Sequence, residues 1–318
     1  MQPIVSILIP VYNAEEWLAD TLECALGQTW LNKEVIIVDD GSTDNSLEIA
    51  RRHKGSNVKV ISQENQGACA ARNRALTHAQ GQYIQYLDAD DLMPADKIEV
   101  QMRALRSGPP DSVASTRWCR FYEQIGDGPH PPVPERWENE DPLEWLIEAQ
   151  SGRAMLPPIG WLAPRSVIEE AGPWNEDLLI NQDGEYFSRV LLQASQIVFC
   201  PETEVYYRSG ISMSVSSRHS PEVLRSQYKA ARRIEQHMRS HEDSPRVRQA
   251  CAHAFQRIAY AAYPKAMDVV EKAESKVDRL GGSDMEPLGG SFFRVIGRIL
   301  GWKTALWIRH NYHRLRDK

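Results

Sequence analysis

The stretch IVSILIPVYNAEEWLAD, residues 4–20, decides the fold. Its first eight residues form a nearly continuous apolar, β-branched run, the pattern of a strand buried on both faces of a parallel sheet. Asn13 and Ala14 make a turn, and apolar residues then recur at helical spacing through Trp17, Leu18, Leu22 and Leu26. The same unit repeats downstream. EVIIVDD (34–40) reads as a second strand, STDNSLEIARRH (42–53) as a capped helix and VKVISQ (58–63) as a third strand. NQGACAARNRALTHAQG (65–81) is a loop feeding a helix, and YIQYLDADD (83–91) is a fourth strand. This alternation predicts an α/β fold, a mostly parallel Rossmann-like sheet flanked by helices over residues 1–105. Ligands of such sheets collect at the carboxyl ends of the strands, where Tyr12-Asn13, Asp39-Asp40 and Asp88–Asp91 all fall.

Beyond residue 105 the pattern loosens. GDGPHPPVPERWENEDP (126–142) is a Pro-rich exposed loop, LEWLIEAQ (143–150) and EYFSRVLLQA (185–194) read as helices, and QIVFCP (196–201) and EVYYR (204–208) as two strands. From Pro221 the periodicity is helical throughout, with Ser244-Pro245 opening one helix. The expected organisation is a catalytic-type domain over 1–220, in halves 1–105 and 106–220, and a helical extension over 221–318.

The 318 residues and 42% hydrophobic content supply a core that needs no disulfide or structural metal. The five cysteines are scattered without zinc or redox spacing, which fits reduced thiols and a cytoplasmic protein. The N-terminal run lacks a basic n-region, and no stretch of 18 uncharged apolar residues exists to span a bilayer. Net charge is −6, yet residues 222–318 hold 19 Lys/Arg against 11 Asp/Glu. The tail SFFRVIGRILGWKTALWIRHNYHRLRDK (291–318) interleaves seven Lys/Arg with aromatic and aliphatic residues. It reads either as an interfacial helix on the inner face of an anionic membrane or as a helix packed on protein. Nucleic acid is the poorer reading, because no recognised module accompanies the charge.

Four stretches carry candidate chemistry. Asp88 and Asp90 alternate with Ala89 and so leave the sheet on the same side. Converging carboxylates are disfavoured without a compensating cation, and Mg²⁺ or Mn²⁺ commonly bridges carboxylates to phosphates; a turn with Asp91 capping the next helix is the alternative. Asp39 and Asp40 are placed to accept hydrogen bonds from a base or ribose, or to make an Asx turn. Arg72, one turn into a helix opened by Gly67, is placed to face anions, whereas Arg74 lies on another face. Asp183, at the start of an amphipathic helix, is either an N-cap or a general base.

Taken together and in this order, SILIPVYNAEEWL, EVIIVDDGSTDNS, NQGACAARNRAL, YIQYLDADDLMPADKI, AGPWNEDLLINQDGEYFSRVL and VYYRSGISMS resemble the family 2 glycosyltransferases, which have the GT-A fold. The resemblance runs over roughly two thirds of the chain, from residue 4 to about 214. It implies inverting transfer of a single sugar from a nucleoside-diphosphate sugar, UDP-linked by expectation, to a hydroxyl of a glycan or lipid-linked acceptor. It places Pro10, Tyr12 and Asn13 around the nucleotide, Asp39 and Asp40 on the nucleoside with Asp40 at the base edge, and Arg72 near the donor phosphates. Asp88 and Asp90 match the family's DxD motif, with Asp90 as the direct ligand of a divalent metal, and Asp183 matches the catalytic base. Trp161 is either a sugar-stacking platform or core. Arg208, Ser212 and Ser214 correspond to a loop that closes over the diphosphate. The chain departs from the family pattern at Gln182, where a glutamate precedes the base; this leaves room for a catalytically weak nucleotide-sugar-binding or scaffolding protein, and removes a carboxylate that would raise the pKa of Asp183.

Overall fold

A computed structural model describes residues 2–129, 139–210, 220–286 and 299–308. The chain divides into two compact units, one of residues 1–145, 155–177 and 182–214, the other of residues 146–154, 178–181 and 215–318.

The first unit is built on a five-stranded sheet. Strands β1 (Val5–Val11), β2 (Lys33–Asp39), β3 (Val58–Ser62) and β4 (Tyr83–Tyr86) run parallel, and the short β6 (Ala163–Pro164) closes one edge antiparallel, in the order β3-β2-β1-β4-β6. All seven residues of β1 are buried, as a central strand covered on both faces requires. Truncating one of them, such as Ile7→Ala, is expected to cost about 2–5 kcal/mol. Helices α1 (Leu18–Leu26), α2 (Ser46–Arg52) and α3 (Ala68–His78) connect the parallel strands, and α4 (Lys97–Leu105) follows β4. Each crossover returns the chain to the same edge of the sheet, so the turns after β1, β2 and β4 share one rim.

The region after residue 105 is more regular than its sequence indicates. Strand β5 (Val113–Phe121) pairs in parallel with β7 (Ile197–Arg208) in a separate two-stranded sheet. The sequence predicts two strands at 196–201 and 204–208; they are one strand, in which Thr116 faces Cys200 and Arg117 faces Glu204 across a bulge. The bulge absorbs Pro201, which cannot donate to a ladder. Between them lie α5 (Pro142–Gln150), a 3₁₀ turn (Pro158–Gly160), α6 (Arg165–Ala171) and α7 (Gln182–Gln193). Beneath the 3₁₀ turn the fully buried Lys97 donates to Gln85 Oε1 and to the Trp161 carbonyl, and Gln101 donates to the Gly160 carbonyl at 2.9 Å. Burial holds the Lys97 amine well below its usual pKa, because the charged form has no carboxylate to meet. Residues 130–138 of the Pro-rich loop lie outside the described residues.

The second unit contains α8 (Pro221–His241), α9 (Pro245–Ala262) and α10 (Met267–Arg279). Ser220 and Ser244 cap α8 and α9 by accepting from Val223 N and Val247 N, each with proline in the first turn. Leu224, Ala231, Ile234 and Met238 are buried along one face of α8, with Tyr228 on that face half-buried. Of the basic tail, residues 302–308 are helical: Trp302 meets Tyr260 and Tyr263 edge-on at 5.0 and 5.6 Å, and Lys303 bonds Glu274 at 2.8 Å. These contacts favour the protein-packing reading over 299–308; the rest of 291–318 lies outside the described residues. Among the described residues no helix is long and apolar enough to cross a membrane, and all five cysteines are free.

Candidate active site

The rim is built from three turns. After β1, Pro10 is buried and Tyr12 is 51% exposed. Asn13 adopts φ +48° and is laced to the next turn, accepting from Thr43 N at 2.8 Å while its own N–H donates to Ser42 Oγ at 3.0 Å. The turn after β2 begins with Gly41 at φ +74°, where a Cβ would meet Asn65 N at 2.9 Å, so only glycine fits.

Asp39 and Asp40 are both buried but differ in what they hold. Asp40 accepts from Gln63 Nε2 at 2.7 Å, Gln66 N at 2.9 Å and Gly67 N at 2.8 Å. Its carboxylate therefore shapes the 63–67 loop that opens α3, with three bonds against about four acceptor positions. Among the described residues, Asp39 accepts only a long 3.4 Å bond from Ser62 Oγ, and its buried Oδ1 has no partner. A bare carboxylate oxygen at the rim is costly unless a donor arrives.

The turn after β4 concentrates negative charge. The strand ends at Tyr86, short of the expected Asp91, and in the turn that follows Asp88 and Asp90 are half-buried while Ala89 and Asp91 are buried. Thr21 Oγ1 holds the turn from below, donating to the carbonyls of Ala89 and Asp91. Asp88 accepts from Arg72 Nη2 at 2.5 Å. Burial and the neighbouring Asp88 raise the Asp90 carboxyl to about 6. Asp91 is pushed well above the usual range, by burial first and then by Asp90 and Asp88. It is not a helix cap: its Oδ1 accepts from Arg208 N at 2.9 Å, and the residue before α4 is Asp96.

Arg208 and Trp161 depart from expectation. Arg208 is 8% exposed, donating to the Asp90 carbonyl at 2.9 Å and the Tyr122 carbonyl at 3.1 Å, with its guanidinium over Phe121. It braces the Asp90 turn through two of its five N–H donors. Ser212 and Ser214 lie outside the described residues. Trp161 is 2% exposed, stacked on Phe187 and edge-on to Trp145, so it is core and offers no face to a sugar.

Asp183 lies in the first turn of α7, half-buried. Its pKa is raised chiefly by burial and further by Asp88, and is opposed by the Gly184 N–H and by Arg72. Burial thus supplies the upward shift that a glutamate at position 182 was expected to supply. Arg72, 6% exposed, acts electrostatically on both Asp88 and Asp183. Arg72, Asp88, Asp90 and Asp183 therefore form one electrostatic group, with Arg208 acting on Asp90 as well, whereas Trp161 is core. Sequence reasoning missed Trp174, on which the Arg72 guanidinium rests 4.5 Å from the ring centroid. The signal was an aromatic residue in AGPWNED, which by itself reads as core.

The sequence profile described as Glycosyl transferase family 2 matches residues 6–169, half of the chain, and spans all three turns. The chain belongs to this family. A family relative, an uncharacterised glycosyltransferase of Haemophilus influenzae, is 47% identical over 103 residues, covering 31% of this chain and 41% of its own. The chain spans less than half the length of several curated relatives it matches. Staphylococcus aureus TarS 1–349, solved with UDP-GlcNAc, superposes with a TM-score of 0.62 at 18% identity, over 88% of this chain and 93% of its own. The mannosyltransferase PcManGT of Pyrobaculum calidifontis, solved with GDP-Man and Mn²⁺, gives 0.57 at 18% identity, over 100% and 88%. The α/β fold is thus that of the GT-A glycosyltransferases.

Proposed function

We propose that the protein transfers a single sugar, with inversion, from a nucleoside-diphosphate sugar to a hydroxyl of a glycan or lipid-linked acceptor, with Asp183 as general base. The observation that carries this reading is the electrostatic group itself: a half-buried carboxylate of raised pKa, facing a carboxylate turn, with one buried arginine acting on both. Asp39, with its unpartnered Oδ1, is the nucleoside contact, and Asp40 shapes the loop beside it. The exposed Tyr12 is placed at the same rim.

The β4 turn fits a divalent cation. Among the described residues no side chain donates a hydrogen bond to the Asp90 carboxylate, and burial with the neighbouring Asp88 raises its pKa against the opposition of Arg208 and Arg72, so a cation bound there would favour the charged form. No cluster of three or more potential metal-ligating side chains exists among the described residues. Mg²⁺ and Mn²⁺ suit such a site, because one or two carboxylates suffice when substrate phosphates and water complete the shell. Asp90, supported by Asp88, would hold the ion, which when bound neutralises charge on the diphosphate. That TarS binds UDP-GlcNAc and PcManGT binds GDP-Man with Mn²⁺ supports a nucleotide-sugar donor and a metal here.

In the reaction, Asp183 removes the acceptor hydroxyl proton as that oxygen attacks the anomeric carbon opposite the diphosphate. The carbon–oxygen bond to the diphosphate breaks, and its electron pair leaves with the phosphate. Arg72 opposes the effect of burial on Asp183 and so favours its ionised form. The test is a nucleotide-sugar panel with Mn²⁺ or Mg²⁺, reading thermal shift and donor hydrolysis, then the anomeric configuration of the product by proton NMR. Inversion is expected; retained configuration would remove Asp183 from the base role.

A further inference from the structure

Trp174 is 1% exposed, yet three elements that carry the proposed chemistry meet on it. The Arg72 guanidinium of α3 lies over its ring at 4.5 Å and ends on Asp88 at 2.5 Å. Tyr186, about one turn along α7 from Asp183, stacks on it at 3.9 Å with the planes 10° apart. Tyr86, at the end of β4 just before Asp88, meets it edge-on at 5.2 Å, and its hydroxyl pairs with that of Tyr186 at 3.0 Å. The backbone is fixed as well. Trp174 N donates to Asn73 Oδ1 at 2.8 Å and Asn73 Nδ2 donates to Trp174 O at 2.9 Å, with Asn73 next to Arg72 in the chain.

Arg72 needs this support. Its Nε is buried without a partner, and Asp88 supplies its one ion pair among the described residues. A guanidinium held at one end is free to swing, and an aromatic face beneath it removes that freedom. An aliphatic core residue would fill the same space but provide neither a face for the cation nor a flat surface for Tyr186.

We propose that Trp174 is a positioning residue for the transfer, holding the Arg72–Asp88 pair and the Asp183 helix in one register. This rests on the reading of Asp183 as base and Asp88 as a donor-side carboxylate. Misplacement of about 1 Å at a reacting group can cost on the order of 10²-fold in rate, so the register matters for chemistry and not only for folding.

The test compares Trp174→Phe, which keeps a ring, with Trp174→Leu, which does not. Asn73→Ala, which releases only the backbone clamp, serves if the leucine variant does not fold. Hydrolysis of UDP-GlcNAc and GDP-mannose with Mn²⁺ is measured per folded molecule, and the Arg72 Nε–H resonance, assigned through Arg72→Lys, is followed by NMR. We expect Trp174→Leu to lose kcat on the order of 10²-fold with donor KM changed less than about threefold, and Trp174→Phe to recover most of it. The Arg72 resonance should shift or broaden in the leucine variant and persist in the phenylalanine one, with Asn73→Ala weakening both readouts in the same direction. A leucine variant with kcat within about twofold of wild type, or an unchanged Arg72 resonance, would overturn the proposal. A wild-type protein that turned over neither donor would count against the proposed function, while the NMR readout would still decide the positioning role.

Discussion

Two acidic turns flank β1 on the same rim, one after β2 and one after β4, and they manage their charge in opposite ways. At the β2 turn, Asp40 accepts from two backbone amides and a glutamine, so most of its acceptor capacity goes into shaping a loop. At the β4 turn, no side chain among the described residues donates to the Asp90 carboxylate, and its pKa rises to about 6 under burial and the repulsion of Asp88. Two neighbouring aspartates in a strand-end turn can therefore be internal scaffold or an unmet demand for a cation. What separates them is where the backbone amides point, which composition does not encode.

Asp183 extends the comparison, since it is desolvated like the β4 turn but has no carboxylate beside it in the chain. Asp183→Asn should lower turnover by about 10²–10⁴-fold while leaving nucleotide-induced thermal shifts intact, checked by steady-state kinetics beside thermal melting. The raised pKa also fixes the sign of its pH dependence: the base is lost by protonation, so kcat/KM should fall as pH drops through a value above the ordinary carboxylate range. At the β2 turn, Asp40→Asn should cost about 1–3 kcal/mol of folding stability, read by urea unfolding, because an amide group would face backbone N–H donors. If that variant were as stable as wild type, the two turns would not differ as described.

The β4 turn should respond with the opposite sign. A carboxyl whose folded-state pKa is raised binds protons more tightly in the native state, so stability falls as pH rises through 3.8 toward 6 and stays lower above it. Without metal, melting should be higher at pH 5 than at pH 7.5, and Asp90→Asn should recover about 1–2 kcal/mol at the higher pH, allowing for solvent screening. A pH-independent difference between the two proteins would contradict the assignment. Smallest of all, Asp39→Asn should change stability by less than about 1 kcal/mol, since it breaks only the long bond from Ser62, but should weaken UDP binding severalfold in a calorimetric titration.

Much of this rim was legible in the sequence because its causes are local. The apolar run of β1, the alternation in YIQYLDADD and the turn glycines dictate strands and their ends. The position of Arg72 on the buried face of α3, with Arg74 exposed, follows from helical spacing alone. What the sequence did not show depends on partners distant in the chain. Arg208 donates to the carbonyls of Asp90 and Tyr122, Asp91 accepts from the amide of Arg208, and Trp174 meets Arg72 about a hundred residues earlier. Strand β5 was missed because its run, VASTRWCRF, carries two arginines and lacks clean alternation; its burial is decided by pairing with β7.

The central claim is that the β4 turn, and not the β2 turn, is where cation and diphosphate meet. It is tested most directly by titrating Mn²⁺ in the presence of UDP and following free Mn²⁺ by electron paramagnetic resonance, for wild type, Asp40→Asn and Asp90→Asn. Wild type and Asp40→Asn should take up Mn²⁺ with UDP present, and Asp90→Asn should not. Uptake by Asp90→Asn at the wild-type affinity would contradict the account.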